Sequence, residues 1–465
     1  MGGAKQFRGR RLRRHPVIRR TVLEWGSLPY GKGDDAICEE AADRLMSVAR
    51  ASPMGGKDGG NILTHGRRAL GARQVVGVLA ADGVTLEILP KIDVPGADGT
   101  TAHGQIRHRL VHMLSVALDL DIAAGVMTGL SWQKETLLEI LIGLFARKLA
   151  DEVRKGMPRR YLAHEDDLTA LRGQLDVTRQ FTTLIARPAR LACRYDELSS
   201  DILVNQIMKA AVDRLIRISA SAENQRRLRE LAFFYADIRS LRPSALAWDS
   251  LILDRTNNRW RELVELARLL LGDRFQTTSS GSQNGFSLTF DMSRLFEAYV
   301  ARSLKRAFSG TELTIHAQGG RLYCLEDAET GTGRFMTKPD ILVKRKGKVE
   351  LIIDTKWKRV SRAIDDPKQG ISQADVYQMM AYSQLYQCPG LLLLYPHHRG
   401  LGADAGGMSI HSIRNTSSWL RTATVDLTKA SHQDWRETVD AGTIDARRTI
   451  QTFEKSGYKR PALAY

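Results

Sequence analysis

The chain has 465 residues, too many for one hydrophobic core, and its 43% hydrophobic and 26% charged residues are ordinary for a globular protein of two or three domains. That balance excludes a disordered chain, and no run of about 18 apolar residues is present that would cross a bilayer. The net charge of +17, from 69 basic and 52 acidic residues, points to a polyanionic partner, because each neutralised phosphate releases counterions.

The first twenty residues carry eight Lys or Arg and no acid, which predicts a disordered basic tail over 1–20. No apolar stretch follows to make it a secretory signal, and Met1 to Gln6 lacks the Ser or Thr of a myristoylation site. Residues 21–98 predict a small β-rich domain with one helix. Ile37, Ala41, Leu45 and Val48 form a helical stripe over Asp34–Ala51. Gln74–Ala80 and Val84–Leu89 read as strands joined at Asp82-Gly83, a hairpin turn signal. Residues 99–275 predict a mainly helical middle region. Its apolar stripes run from Leu137 to Leu149 and from Leu203 to Leu215, and the less regular sequence between Arg159 and Arg194 leaves room for strands. The Gly/Ser-rich stretch 276–285 reads as a linker, and 286–465 as the last domain. There the order is a helix from Met292 to Phe308 capped by Asp291, strands near Leu313–Ala317, Arg321–Leu325, Asp340–Arg345 and Val349–Trp357, a helix from Ser372 to Gln387, and a strand at Gly390–Tyr395. The fold class expected is α+β and multidomain.

The segment from Lys338 to Lys358 carries the chemistry. Two apolar strands flank a basic turn at Gly347, and a three-residue turn centred there sets Asp340 opposite Asp354. Such cross-strand neighbours have Cβ atoms about 4.5–5.5 Å apart. Strand alternation then puts Asp354 and Lys356 on one face and Leu351, Ile353, Thr355 and Trp357 on the other. Two close carboxylates do not both ionise without a cation between them. Mg²⁺ fits, since it takes a few carboxylates, keeps its waters and can polarise a phosphodiester. Lys356 is placed to orient water or to stabilise charge developing on phosphoryl oxygens. Glu297, at the edge of the upstream helix stripe, and Gln378, on the later helix, are further candidates for the cluster.

These residues resemble the PD-(D/E)xK nuclease superfamily and, within it, the McrC family, the nuclease subunits of McrBC modification-dependent (type IV) restriction systems. The resemblance is carried by Asp291-Met-Ser-Arg-Leu-Phe-Glu297, Lys338-Pro-Asp340, Asp354-Thr-Lys-Trp-Lys358 and Asp375-Val-Tyr-Gln-Met-Met-Ala-Tyr382. Upstream, Leu86-Glu-Ile-Leu-Pro-Lys-Ile92, Leu171-Arg-Gly-Gln-Leu-Asp176, Tyr195-Asp-Glu197, Asp201 and Asn205 extend it, so that it runs from about residue 70 to 395. It implies a restriction-endonuclease-like C-terminal domain that hydrolyses double-stranded, methylated DNA with Mg²⁺. Asp340, Asp354 and Glu297 would hold the metal and Lys356 would be the catalytic lysine. It also implies a McrB-like AAA+ GTPase hexamer as partner, bound and stimulated by the N-terminal part, with the Val75–Ile92 hairpin region expected to help plug the ring. Double-strand cutting by single-site subunits implies that two nuclease domains meet in the assembled complex.

Other features of the sequence carry weaker signals. Gly26-Ser-Leu-Pro-Tyr-Gly-Lys-Gly33 nearly spells a P-loop, but Gly33 stands where Ser or Thr would hold Mg²⁺ and Pro29 lacks an N–H, so a turn before a helix is expected. His397-His398 reads as a surface loop, and Trp25, Trp132 and Trp248 as core residues rather than stacking platforms. The four cysteines are widely spaced, which predicts isolated buried thiols in a reducing cytoplasm rather than a zinc site or disulfides. Two rival functions are an autonomous nuclease of the same fold acting in DNA repair, and a non-catalytic DNA-binding activator of the GTPase. The complete Asp-Asp-Lys set argues against the second, because carboxylates repel a phosphate backbone unless a metal intervenes.

Overall fold

A computed structural model describes residues 18–56, 58–93, 99–120, 135–255, 257–272, 285–360, 371–402, 404–427 and 431–440. The chain opens with β1 (Ile18–Leu23), β2 (Ser27–Pro29), α1 (Glu39–Ala51), β3 (Leu63–His65), β4 (Ala69–Ala72), β5 (Val75–Ala81) and β6 (Val84–Leu89). Next come α2 (Gly99–Ala117), α3 (Leu137–Arg154), β7 (Arg160–Leu168), β8 (Gln174–Leu175), α4 (Val177–Thr182) and β9 (Leu191–Ser199). Helices α5 (Leu203–Ile218), α6 (Ala222–Phe234) and α7 (Arg261–Leu271) follow. The last third holds β10 (Phe286–Asp291), α8 (Met292–Ala307), β11 (Leu313–Ala317), β12 (Tyr323–Glu326), β13 (Gly333–Met336), β14 (Ile341–Arg345), β15 (Lys348–Thr355), α9 (Gln373–Leu385), β16 (Gly390–Pro396), β17 (Gly406–Ser412), β18 (Trp419–Val425) and α10 (His432–Asp440). The protein is therefore α+β, with five sheets among the described residues.

The first four-stranded sheet has the order β1-β6-β5-β10. Its fourth strand comes from beyond residue 285: Phe286–Asp291 runs antiparallel to β5, pairing Phe286 with Ala80 and Asp291 with Val75. The expected linker at 276–285 lies almost wholly outside the described residues, and the strand after it closes the N-terminal sheet. Alternation along β5 explains why both faces are buried. Val75 and Leu79 face α1, while Val76 and Val78 join Phe286, Leu288 and Phe290 in the main core with α2 and α3. That core is continuous from β5 to α10.

Strand pairing here demands a particular glycine. Gly77 has φ +137, and a Cβ at that position would stand 1.9 Å from the carbonyl oxygen of Leu288. No side chain fits there without parting β5 from β10. A buried ion pair fastens the same sheet to the helices. Glu87 of β6 is bound by Arg107 of α2 (2.7 Å) and by the backbone N–H of Leu137 at the start of α3 (2.8 Å).

Several expectations shift. Helix α1 starts at Glu39, not Asp34, because Ile37 bridges to Tyr30 instead and its carbonyl accepts from the Gly31 N–H. Residues 18–20, read as the end of the tail, lie in β1, which runs parallel to β6; residues 1–17 lie outside the described residues. The less regular stretch after α3 forms an outlying three-stranded sheet, β7-β9-β8, with α4 on it. Gly173, with φ +71, sits against the backbone of Arg194 and Tyr195, and Asp176 caps α4 by accepting from the Arg179 N–H. These signature residues hold the outlying sheet together.

The six-stranded sheet has the order β11-β14-β15-β16-β18-β17 and lies between α8 and α9. Ile341, Val343, Leu351 and Ile353 face α8, and Leu342, Ile352 and Leu391 face α9. Asp291 caps α8 by accepting from the N–H groups of Ser293 and Arg294, as its position before the stripe predicts. No helix among the described residues is long and apolar enough to cross a membrane.

Replacing Gly77 by alanine is expected to cost about 2–4 kcal/mol of stability, since both φ and space forbid the methyl group. Urea unfolding of the full chain measures this, and a variant as stable as wild type would refute the tight β5–β10 approach.

Candidate active site

The hairpin β14–β15 delivers the two expected aspartates by a route slightly different from the one predicted. Its turn has two residues, Lys346 and Gly347, both with positive φ (49° and 85°), between the paired Arg345 and Lys348. The register then slips between Val343 and Lys344, and beyond that bulge Ile341 pairs with Ile353. Continued one residue outward, this register sets Asp340 across from Asp354, as the three-residue turn would have done.

Asp340 is anchored through Oδ2, which accepts from the N–H and from the hydroxyl of Thr355, both at 2.8 Å. Asp354 is 2% exposed and lies 2.9 Å from the Lys356 ammonium. Lys356 also reaches Asp375 of α9 (3.3 Å) and donates to Oε1 of Gln378 (3.1 Å), whose amide donates to the Tyr382 hydroxyl (2.8 Å). Lys358 holds the other Asp375 oxygen at 3.0 Å. Trp357 points to the opposite face, packs edge-on against Phe296 of α8 and donates from Nε1 to Glu24 (3.0 Å), a buried acid just beyond β1. The period-two reading of Asp354, Lys356 and Trp357 therefore matches the strand's two faces.

Glu297 comes from α8 and accepts from Nε2 of Gln318 at 3.0 Å, at the end of β11. Burial, then the nearby Asp340 charge, pushes its carboxyl up to about 7. Burial and the Asp340 charge likewise push Asp354 up to about 6, against the pull of Lys356. Asp340 is raised by burial despite its bonds from Thr355. Burial opposes the charge on Lys356, but Asp354 and Asp375 outweigh it and hold the ammonium above its ordinary value. Asp375 moves the other way: burial disfavours its charge, yet Lys358 and Lys356 keep it low.

Three acids, each raised by burial and two of them also by the Asp340 charge, are incompletely offset by Lys356 and Lys338. Among the described residues, no three His, Cys, Asp or Glu side chains form a ready metal cage. Mg²⁺ does not need one, because one or two carboxylates with several waters suffice. Asp340 and Asp354 fit that demand: Thr355 engages one oxygen of Asp340, while the buried Oδ2 of Asp354 has the Lys356 ammonium at 2.9 Å but accepts no hydrogen bond. Glu297 adds an acid at the same place, but Gln318 occupies one of its oxygens.

Asp375, which bridges two lysines, was not singled out as a site residue from sequence. Its position three residues before Gln378, on one helix face, was the available signal. The remaining candidates separate cleanly. The P-loop-like stretch runs as β2, and the Tyr30 and Gly31 N–H groups are spent on Arg68 and Ile37 carbonyls, so no phosphate cradle forms. His397 is bonded to Thr424 and Gly402, and His398 to the Val360 carbonyl, within a loop. Cys193 and Cys388 are buried, but Cys324 is exposed. Trp132 lies outside the described residues and Trp248 packs against the main core, whereas Trp25 is exposed and not a core residue.

Residues 70–396 match the family model described as McrBC 5-methylcytosine restriction system component. Among solved structures, the chain resembles one from the refined half-complex of the tetradecameric assembly of Thermococcus gammatolerans McrB AAA+ hexamers with bound McrC. The TM-score is 0.65 at 21% identity, covering 91% of this chain and 99% of that one. A chain of the cryo-EM structure of the Thermococcus gammatolerans McrBC complex is similar over 63% of this chain and 88% of its own, with a TM-score of 0.50 and 25% identity. No curated protein matches.

The raised Glu297 sets a pH dependence for the metal-free chain. A carboxyl whose folded value exceeds its unfolded one contributes stability that is full below about 4.5 and lost as pH rises through about 7. Glu297→Gln, neutral throughout, is expected to melt about 1–2 °C above wild type at pH 8 in EDTA and to lose most of that advantage at pH 5. The same difference at both pH values would mean that neither burial nor Asp340 raises the Glu297 carboxyl.

Proposed function

Because the chain belongs to the family of McrBC 5-methylcytosine restriction system components, we propose that it is the nuclease subunit of such a complex, a Mg²⁺-dependent endonuclease of the PD-(D/E)xK class. The observation that carries this reading is the pair of raised aspartates facing each other on one hairpin, Asp354 buried and Asp340 half-buried, with Lys356 beside them. Asp340 and Asp354 would hold the ion, with Glu297 supporting it. A bound Mg²⁺ would supply Lewis-acid polarisation of the phosphodiester and a more acidic water.

The protein's own side chains do the rest. Thr355 fixes the Asp340 carboxylate, and Asp375 and Gln378 hold the Lys356 ammonium over Asp354, where it can stabilise charge on the phosphoryl oxygens. Glu297, poised near neutrality, can accept or return a proton at its carboxylate. The net charge of +17 suits a DNA substrate.

The proposed partner is an AAA+ GTPase ring, which the chain would stimulate. The likeness to chains of assemblies containing McrB AAA+ hexamers supports it, and their tetradecameric form suits two nuclease subunits meeting. The Val75–Ile92 hairpin is a poor plug for such a ring, because β1 and β10 pair both of its edges and its strands are buried. The outlying sheet is better suited. It packs mainly on itself and exposes Tyr161, Leu171, Val177, Phe181, Ile185 and Leu198. Apolar area of that kind marks contact surfaces.

Cleavage of methylated and unmethylated plasmid, with and without the GTPase and GTP, tests the reading. Cleavage should require partner, GTP, Mg²⁺ and methylation, and Lys356→Ala should lower it at least about 100-fold while leaving GTPase stimulation intact. Cutting by the chain alone would indicate an autonomous nuclease, and stimulation without any cutting a non-catalytic activator. Separately, Phe181→Asp with Ile185→Asp should reduce GTPase stimulation about tenfold or more without shifting the melting temperature. Unchanged stimulation would remove the outlying sheet from the partner interface.

A further inference from the structure

A second concave site lies one helical turn from the candidate active centre. It is a cavity of about 520 Å³ bounded by Trp25, Asn61, Arg73, Gln74, Asp291 and Ser293. Ser293 and Glu297 are four residues apart in α8, so they share a helix face about 6 Å of rise apart. The opposite wall is tied to the same centre. Trp25 follows Glu24, whose buried carboxylate accepts from Trp357 Nε1, and Trp357 follows Lys356. The Ser293 wall is thus continuous in chain with Glu297, and the Trp25 wall is tied by a hydrogen bond to Trp357, on the opposite face of the strand end that carries Lys356.

Trp25 is an unusual wall. It is 52% exposed and its backbone is left-handed, with φ +61. That conformation is disfavoured in a residue with a side chain and persists only where the surroundings fix it. Here the Gly26 N–H closes the turn on the Leu23 carbonyl at 2.8 Å. The Arg73 guanidinium stands 5.8 Å from the Trp25 ring centroid. Asn61 and Gln74 add two carboxamides, which offer donors and acceptors together. Asp291 brings a carboxylate to the wall, but its Oδ1 is engaged by the Ser293 and Arg294 N–H groups.

A flat aromatic face, a guanidinium and two carboxamides in one cavity match the face and edge of a nucleobase. The size is within the range of small-ligand sites. We infer that this cavity is a nucleobase subsite, taking one unstacked base of a DNA strand whose backbone passes the candidate active centre. Trp25 stacks on the base, and Asn61 and Gln74 meet its edge. The placement of the strand rests on the nuclease reading; the base-binding chemistry does not.

The test uses the full chain in EDTA, with a fluorescently labelled single-stranded 12-mer and a blunt duplex as probes, read by anisotropy. Trp25→Ala is expected to weaken single-strand binding about tenfold while changing duplex binding less than about twofold. Trp25→Phe should keep most of the affinity, and Arg73→Ala, at an exposed position, should lose about threefold or more without unfolding the chain. Single-strand binding unchanged in both Trp25→Ala and Arg73→Ala would overturn the subsite, even if Lys356-dependent cleavage is found. Trp25-dependent binding by a chain that never cuts would leave the subsite standing and sink the nuclease reading. Loss of GTPase association in Trp25→Ala, with oligonucleotide binding intact, would make the cavity a protein-docking surface and overturn the proposal.

Discussion

The pairing of β10 with β5 is the constraint on which the rest of the molecule depends. It brings the chain back, after the helical middle region, to the edge of the first sheet at a fixed register. Helix α8 starts at once from that strand, because Asp291 is both its last residue and the helix cap. The position of Glu297 is therefore set by a strand belonging to the N-terminal sheet. The Trp357–Glu24 hydrogen bond and the Arg359–Asp93 ion pair add two further ties between β15 and that end of the molecule. The N-terminal sheet and the segment that follows β15 are thus tied together at several points, and the β5–β10 contact leaves no room for a side chain at Gly77.

Two sets of wholly or partly buried acids contrast in this protein, and Glu24, raised by burial yet bonded to Trp357 and the Lys91 N–H, stands apart from both. Glu87 and Glu139 are fully answered: Glu87 by Arg107, Thr21 and the Leu137 N–H, and Glu139 by Ser219, Ala220 and Asn224. Such acids fasten helices to a sheet and to each other, and breaking one partnership would strand a charge. Asp340, Asp354 and Glu297 are clustered with too few donors, and each is raised. The contrast separates acids that hold the fold from acids left available for an ion or a proton, and it requires no knowledge of relatives.

Much of the site was legible in sequence because hairpins are local. The alternation in Val349–Trp357 and the turn at Gly347 are enough to set Asp340 by Asp354 and to turn Lys356 to the same side. Helix α8 and its cap were equally local. What could not be read was what distant segments do to one another. Nothing in Phe286–Asp291 announces β5 as its partner, and nothing in Glu24 announces Trp357. The stripe through Ile37 suggested an earlier helix start, but tertiary pairing with Tyr30 overrode it. Trp25 was misjudged for a related reason. Apolar neighbours in sequence imply burial only if the backbone carries the side chain inward, and at Trp25 a left-handed turn residue leaves the ring exposed.

The tip of the β14–β15 hairpin has a consequence for how this protein can vary. A two-residue turn and a one-residue bulge together give the register that a three-residue turn alone would give. A strand whose register moves by one residue turns every side chain to the opposite face, which would carry Asp354 and Lys356 away from Asp375. The bulge absorbs such a change before it reaches Ile353. Insertions and deletions at the basic tip can therefore be traded against the bulge, and the Asp340–Asp354 end of the hairpin is insulated from the history of its loop.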